Sequence, residues 1–397
     1  MIPLIIIPPF LGSNLWISYN KTDLPWYCPK KLNDSPLWLY PPFAIPPFHN
    51  CLLKLLTLEA DENGEVYPYK NTTFNQHDFG GVESISHTLI FRNKFMAFWP
   101  VYVPFIKYFE EKGYKVKKDL FAAPYDSRLG PNRIPEYYGK LKDLIVEAFN
   151  KNGQQKVVIC GFSLGGSVLQ KLLTEKTDKA FRDKYISKGV LIGPGFGGSM
   201  PFFRDLLIKR TSYVPSLDNE NLKRLIESWP TFQEVMPNPI LHYEVPLLYD
   251  EKGSNFKGKD LKEFLIAHKI FEGNYSKSFL KTYESIGDYL KEPDIPIDLI
   301  YNSGRPTIAA LNFTNGFDKM PIDIIGKGDG TIGSFGLEKV CSLWKNAKCY
   351  NVDCEGPMCV HASLIKNVDV LDAVYNTTYG RAILLNTKRA HKLTDDL

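Results

Sequence analysis

Residues 157–170 read VVICGFSLGGSVLQ. A β-branched apolar run leads into glycine, a lone serine, two more glycines and then a run with helical spacing. Its centre, Gly161-Phe162-Ser163-Leu164-Gly165, has the form G-x-S-x-G. A serine on so sharp a strand-to-helix turn carries a strained backbone, and side chains at the flanking glycine positions would collide with neighbouring elements. The turn leaves the hydroxyl exposed at a helix start, where backbone N–H groups and the helix dipole favour developing negative charge. Such a short pattern also arises by accident. The strand before it and the helix after it argue for a nucleophile.

A serine hydroxyl is a weak nucleophile and needs a histidine base, oriented in turn by an acid. In this architecture the chain order is Ser, then Asp or Glu, then His. Of the seven histidines, His49, His77 and His87 precede the serine, and His242 and His268 lie in a long mixed segment. His391 sits in a basic tail, TKRAHKL, which leaves His361 at the start of HASLIKNV. For the acid, residues 324–332 read IIGKGDGTI, with Asp329 between glycines just after an apolar run. Asp-Gly is also common in plain turns. Asp318 and Asp323 are weaker rivals without that loop context.

The surrounding sequence suits an α/β protein. Short apolar segments at Leu4–Ile7, Val116–Phe121, Val157–Cys160, Val190–Ile192 and Ile297–Tyr301 alternate with amphipathic runs such as Tyr137–Phe149. That alternation predicts a mostly parallel sheet with helices on both faces. Two segments break the rhythm. Tyr19–Leu58 is too rich in proline and aromatics for regular core structure, and Ser199–Glu292 is mixed and charged, with helical patches at Asn221–Ser228 and Asp260–Ile270. Both are expected as insertions over the functional edge of the sheet. The 397 residues, 44% hydrophobic and 23% charged, fit one large globular unit with insertions or two domains. A net charge of +4, with both signs mixed along the chain, does not suggest a nucleic-acid binder. No stretch is long enough to span a membrane as a helix. The opening MIPLIIIPPFLG lacks the basic leader and cleavage site of a signal peptide.

Seven cysteines leave at least one unpaired, and Cys160, inside the strand before the serine, reads as a buried free thiol. Cys341, Cys349, Cys354 and Cys359 crowd together. They permit two disulfides in three pairings, or a metal knuckle with His361; the spacing favours disulfides. Six Asn-x-Ser/Thr sequons, at Asn20, Asn33, Asn71, Asn274, Asn312 and Asn376, lean toward the secretory route. Between Cys28 and Cys51, the residues Trp38, Leu39, Tyr40, Phe43 and Ile45 are too apolar for a solvated loop, and Trp and Tyr favour a membrane–water boundary. Packing on the cap would also account for them. Asp126 and Arg128 read as a buried charge pair that fixes a loop beside the elbow.

Several blocks agree in order with one family. IIIPPFLGSNL, AAPYDSRL (close to a family motif AAPYDWRL), GFSLGG, IGPGFGGS, NFKGKDLKEF with FEG, YNSGRPT, GDGTI and VCSLW span nearly the whole chain. It resembles the lecithin:cholesterol acyltransferase family, whose hydrolytic sibling is lysosomal phospholipase A. The resemblance implies an α/β-hydrolase fold with Ser163 as nucleophile, Asp329 as acid and His361 as base. It implies an oxyanion hole from the backbone N–H groups of Phe10 and Leu164. Pro9 stands where the family usually has glycine. The resemblance further implies a Cys28–Cys51 disulfide around a membrane-docking subdomain. Its second disulfide would join Cys341 to a position near Leu299, which holds no cysteine, so Cys341 is left to pair locally with Cys349, Cys354 or Cys359.

The expected layout is a hydrolase core at 1–18, 62–198 and 293–397, a docking subdomain at 19–61 and a cap at 199–292 that shapes the acyl tracks. Phe203–Leu217 is the expected lid. The expected chemistry is acyl transfer from a glycerophospholipid to a sterol, another lipid alcohol or water, without metal or organic cofactor. The alternatives are a phospholipase A and a non-catalytic lipid-binding protein of the same fold. The protein is expected to act as a monomer, peripheral to a membrane or lipoprotein surface, in a secreted or lumenal setting.

Overall fold

The computed structural model describes residues 1–20, 23–38, 43, 45–91, 96–209, 220–317 and 319–383. Six strands form the central sheet: β1 (Leu4–Ile7), β2 (Leu120–Ala122), β3 (Val157–Phe162), β4 (Ile186–Ile192), β5 (Ile297–Tyr301) and β6 (Ala347–Asn351). Their order across the sheet is β6-β5-β4-β3-β1-β2, and every pairing is parallel. Because side chains alternate along a strand, each strand feeds two cores. Ile5 and Ile7 of β1, Phe121 of β2, and Val157 and Ile159 of β3 enter one. Leu4 and Ile6, Leu120 and Ala122, and Val158, Cys160 and Phe162 enter the other. Burial on both faces is why these strands read as unbroken apolar runs.

Helix α1 (Pro135–Lys151) starts with proline in its first turn, where a missing N–H costs nothing. It buries Tyr137, Tyr138, Leu141, Leu144, Ile145, Ala148 and Phe149, a stripe at helical spacing. Helix α2 (Leu164–Lys171), directly after the elbow serine, is buried along its whole length.

One expected strand needs correction, and one strand was not foreseen. The strand expected at Val116–Phe121 is confined to Leu120–Ala122. Residues 115–119 turn instead, with Lys117 at φ 61° and the Asp119 N–H on the Lys115 carbonyl. Strand β6, AKCYN, is a sheet edge with mostly half-buried side chains, and its sequence carries no apolar signature.

The segment expected to dock, 19–61, is more regular than its composition suggests. Lys31–Trp38, Leu15–Asn20 and Thr72–Asn75 form a three-stranded antiparallel sheet, and His49–Leu56 is a helix. Pro36 is accommodated because Lys31–Trp38 is an edge strand, where a lost ladder donor is tolerated. In the 199–292 segment lie helices α3 (Met200–Ile208) and α4 (Pro230–Glu234), with further helices at Glu220–Ser228, Leu261–Ala267 and Asn274–Glu284. Its strand Pro246–Tyr249 pairs with Asn255–Lys257 and with Arg305–Asn312, which pairs in turn with Ile322–Gly328. The cap layer therefore draws on residues from both sides of position 292. It also shares one hydrophobic core with the docking segment, running from Leu15, Ile17 and Leu52 to Phe203, Leu225 and Phe279.

The three disulfides are Cys28–Cys51, Cys341–Cys349 and Cys354–Cys359, and Cys160 is free and buried. With four sulfurs so bonded, the knuckle alternative falls away. Cys349 on β6 lies in register with Leu299 on β5. The bridge to Cys341 thus reaches one strand beyond the position that the family pattern suggested.

Candidate active site

The site is built at the carboxyl ends of the strands, where loops from several elements converge. Ser163 follows β3 with φ 55° and ψ −123°, a strained conformation for a non-glycine residue. Close packing on both sides of the turn imposes it. A Cβ on Gly161 would lie 2.4 Å from the Gly165 carbonyl oxygen, and one on Gly165 would lie 2.3 Å from that of Ile7. The second contact brings the end of β1, and hence the loop after it, against the start of α2. The Ser163 N–H donates to the Ile192 carbonyl at 2.8 Å, which ties the turn to β4.

His361 Nε2 stands 2.8 Å from Ser163 Oγ, and His361 Nδ1 stands 2.6 Å from Asp329 Oδ2. The other carboxylate oxygen, Oδ1, accepts the N–H groups of Thr331 at 3.0 Å and Ile332 at 2.7 Å. Asp329 and His361 are 1% and 8% exposed. The imidazole stacks on Phe162 at 5.0 Å between centroids. The His361 N–H donates to the Asp329 carbonyl at 2.8 Å, so backbone and side chain both join the two loops. Although Ser163 lies 198 residues before His361 in sequence, and Asp329 32 before it, the structure brings together the three residues singled out by chain order.

Both loops are held from behind by residues that the sequence reading did not single out. Asn302, 2% exposed, donates through Nδ2 to the carbonyls of Cys354 and Cys359, both at 2.9 Å, and accepts the Cys354 N–H at 2.9 Å. It clamps the disulfide-closed loop that leads into His361. Thr307 Oγ1 accepts the Gly330 N–H at 2.8 Å, and Ser199 Oγ donates to the Thr331 carbonyl at 2.9 Å, pinning the Asp329 loop. The tie at Asn302 had a weak signal, an Asn-Ser-Gly turn after a strand.

Phe10 and Leu164 flank Ser163 in a narrow crevice whose wall also includes Phe202, Thr231, Phe232, Val235 and Ile332. The Phe10 ring packs edge-on against Phe202 at 5.5 Å, Trp229 at 5.8 Å and Phe232 at 5.8 Å. Five of the lining residues, Ser199, Phe202, Thr231, Phe232 and Val235, come from α3, α4 and their neighbours in segment 199–292. Leu164 is the first residue of α2, so its N–H has no partner within that helix. Cys160, near the elbow, is not a competing nucleophile: burial pushes its thiol up to about 12.

Asp126 and Arg128 form the expected buried pair, with Arg128 1% exposed, 2.6 Å from Asp126 and over the Phe74 ring. The rival Asp323 pairs with Arg204 instead. The rival Asp318 and His391 lie outside the described residues, as do Leu39 and Tyr40 of the docking set. Among the others, Ile45 is 61% exposed, whereas Trp38 is half-buried with its indole nitrogen turned inward. Phe43 is a correction: it is 3% exposed and faces the core shared with the cap, so it offers nothing to a membrane. Trp26, 86% exposed, and Phe48 are exposed apolar groups close to the Cys28–Cys51 bridge that the sequence reading passed over. The expected lid, Phe203–Leu217, is described only in part. Phe203 and Leu206 of α3 are fully buried, and residues 210–217 lie outside the described residues.

Residues 35–285 match the family model of lecithin:cholesterol acyltransferase. The chain belongs to the lecithin:cholesterol acyltransferase family. A phosphatidylcholine-sterol acyltransferase of Gallus gallus is 26% identical over 383 residues, covering 94% of this chain and 87% of that protein. A lysosomal phospholipase A and acyltransferase of Rattus norvegicus is 23% identical over 377 residues, covering 93% and 88%. Among solved structures, a lipase-esterase related protein from Clostridium acetobutylicum matches with a TM-score of 0.33 at 12% identity, over 70% of this chain and 88% of that one. Membership of the family accords with the parallel sheet flanked by helices and the elbow after β3, the arrangement of an α/β hydrolase.

Proposed function

We propose that this protein is a serine acyltransferase that takes a fatty acyl chain from a glycerophospholipid and passes it to a sterol or another lipid alcohol. The observation that carries the reading is the hydrogen-bonded series Ser163–His361–Asp329 beside an apolar crevice, in a member of this family. His361 Nε2 takes the proton of Ser163 Oγ, and the oxygen attacks the ester carbonyl. The N–H groups of Phe10 and Leu164 stabilise the resulting oxyanion, a role that preorganised amides fill at little reorganisation cost. Asp329 holds the imidazole in the tautomer that accepts this proton and stabilises the imidazolium. The proton then passes to the departing lysophospholipid oxygen, leaving an acyl-Ser163. An acceptor O–H gives its proton to His361 and attacks the acyl carbonyl. The new ester leaves, and the proton returns to Ser163.

Transfer to water, which makes the protein a phospholipase A, is the second reading; it is favoured by the rat relative, whose name carries both activities. Transferase and hydrolase use the same three residues and differ in whether the closed pocket keeps water out. The hydrogen-bonded triad speaks against a non-catalytic lipid carrier. Segment 19–61 serves as the docking subdomain in this reading, with Ile45, Trp26 and Phe48 as the apolar contacts supported by their exposure, and segment 199–292 serves as the cap. Three disulfides favour an oxidising, secreted or lumenal setting.

The test incubates purified protein with liposomes of labelled phosphatidylcholine plus cholesterol or a simple lipid alcohol, beside Ser163→Ala. Labelled sterol or alcohol ester, absent with the variant, supports transfer. Free fatty acid alone supports the hydrolase. Equal products from parent and variant would refute the assignment of Ser163.

A further inference from the structure

The loop after β1, Pro8-Pro9-Phe10-Leu11-Gly12, has to hold one peptide N–H toward Ser163, yet its own turn is strained. Leu11 sits at φ 55°, unfavourable for a residue with a branched side chain, and the turn closes through the Gly12 N–H on the Pro9 carbonyl at 3.0 Å. The group that meets the Leu11 N–H is the hydroxyl of Ser127, 116 residues away, at 2.9 Å. Ser127 is 6% exposed and is itself held from two further sides. Its carbonyl accepts the Thr231 hydroxyl of α4, and the next carbonyl, of Arg128, accepts the Thr231 N–H at 3.3 Å. A second tie runs the other way between the same two loops, from the Tyr125 N–H to Ser13 Oγ at 3.2 Å. The buried Arg128–Asp126 pair stiffens the segment that carries Ser127.

We propose that Ser127 is a positioning residue for the oxyanion loop: by accepting the Leu11 N–H it locks the strained turn and aims the Phe10 N–H at the carbonyl oxygen of the ester whose carbon Ser163 attacks. The inference rests on the functional reading above and adds a residue to it. The hydroxyl is essential to the tie. The family motif AAPYDWRL has tryptophan at this position, and an indole N–H donates but cannot accept. In this chain the loop is therefore held by a hydroxyl bond that tryptophan at this position could not make. Because Thr231 lines the crevice and binds the Ser127 carbonyl, the same residue couples the loop to helix α4 at the crevice wall.

The experiment compares the parent, Ser127→Ala, Ser127→Thr and Ser163→Ala on p-nitrophenyl butyrate and its thionoester, with the melting temperature of each. Removing an oxyanion donor outright lowers kcat about 100- to 1000-fold, so displacing one should lower it by about tenfold or more. Ser127→Ala is expected to lose that much kcat with KM within about twofold. It should also show a reduced preference for ester over thionoester, because sulfur is the poorer acceptor and gains less from an aimed N–H. Ser127→Thr keeps the hydroxyl and should recover most of both. If Ser163→Ala is inactive while Ser127→Ala keeps the parent's kcat, the positioning role is overturned and the nucleophile assignment stands. Loss of activity in Ser127→Ala with the ester preference intact and a lowered melting temperature also overturns it, in favour of a purely structural serine. Parental activity in Ser163→Ala overturns the functional reading itself.

Discussion

Replacing Asp329 by asparagine changes one atom and should disable the proposed base. The carboxylate divides its work: Oδ1 receives the N–H groups of Thr331 and Ile332, and Oδ2 faces His361 Nδ1 at 2.6 Å. In Asp329→Asn only the amide oxygen can take the two backbone donors, so the NH2 group must face the imidazole. Nδ1 then has to be the acceptor, and the ring proton moves to Nε2, 2.8 Å from Ser163 Oγ. A ring protonated there cannot take the serine proton. Loss of the correct tautomer in a Ser-His-Asp triad lowers kcat by roughly 10000-fold, or roughly 5.5 kcal/mol of transition-state stabilisation at about 1.4 kcal/mol per decade. The fold should be nearly indifferent, because both buried N–H groups keep their acceptor. The assay is kcat on a soluble ester, with the melting temperature measured alongside. A variant that retains more than about a tenth of the parent's kcat would refute the tautomer argument. So would a loss of activity that merely follows a large drop in melting temperature.

Two further outcomes follow from the geometry. Glu234 on α4 is 4% exposed, and burial pushes its carboxyl up to about 7, only partly offset by the Tyr289 hydroxyl, the Asn132 N–H and the charge of Lys171. Between the ordinary carboxylate range and that value the folded protein keeps a proton that the unfolded chain releases. Stability should therefore be fully present below the ordinary range and fall as pH rises toward 7, by at most about 1.4 kcal/mol per pH unit. Glu234→Gln should flatten that slope in denaturant titrations at several pH values, and equal slopes for parent and variant would sink the idea. Removing the Cys28–Cys51 bridge by a double serine substitution opens a loop of 23 residues, for which chain entropy predicts a loss of about 3 kcal/mol. Calorimetry should show it as a lowered melting temperature, and no change would mean that the shared cap core alone holds the docking segment.

Much of the site was legible before any coordinates. The elbow announces itself because the steric demand of the turn selects glycine at named positions, and a sheet buried on both faces selects unbroken apolar runs. Chain order then isolated His361 from six other histidines, and the glycine-flanked loop isolated Asp329. These signals are local, written in the residues that carry the property. The edge strand β6 was not legible, since an edge is defined by hydrogen bonds to its neighbour rather than by its own side chains. The pairing of Cys341 with Cys349 was likewise left open among three partners, because it depends on the register of β6 against β5.

Composition alone marked Trp38, Phe43 and Ile45 alike as apolar and out of place. Only the packing of the cap against the docking segment turned Phe43 inward and left Ile45 in solvent. The ties made by Asn302, Thr307 and Ser127 to loops distant in sequence belong to the same class. The amino-acid sequence determined which groups stand at the turn and in what order along the chain. The tertiary structure decided which backbone amides those groups meet, because a single hydroxyl or amide side chain has no periodicity and acquires its partner only when separate strands bring their loops to one edge of the sheet.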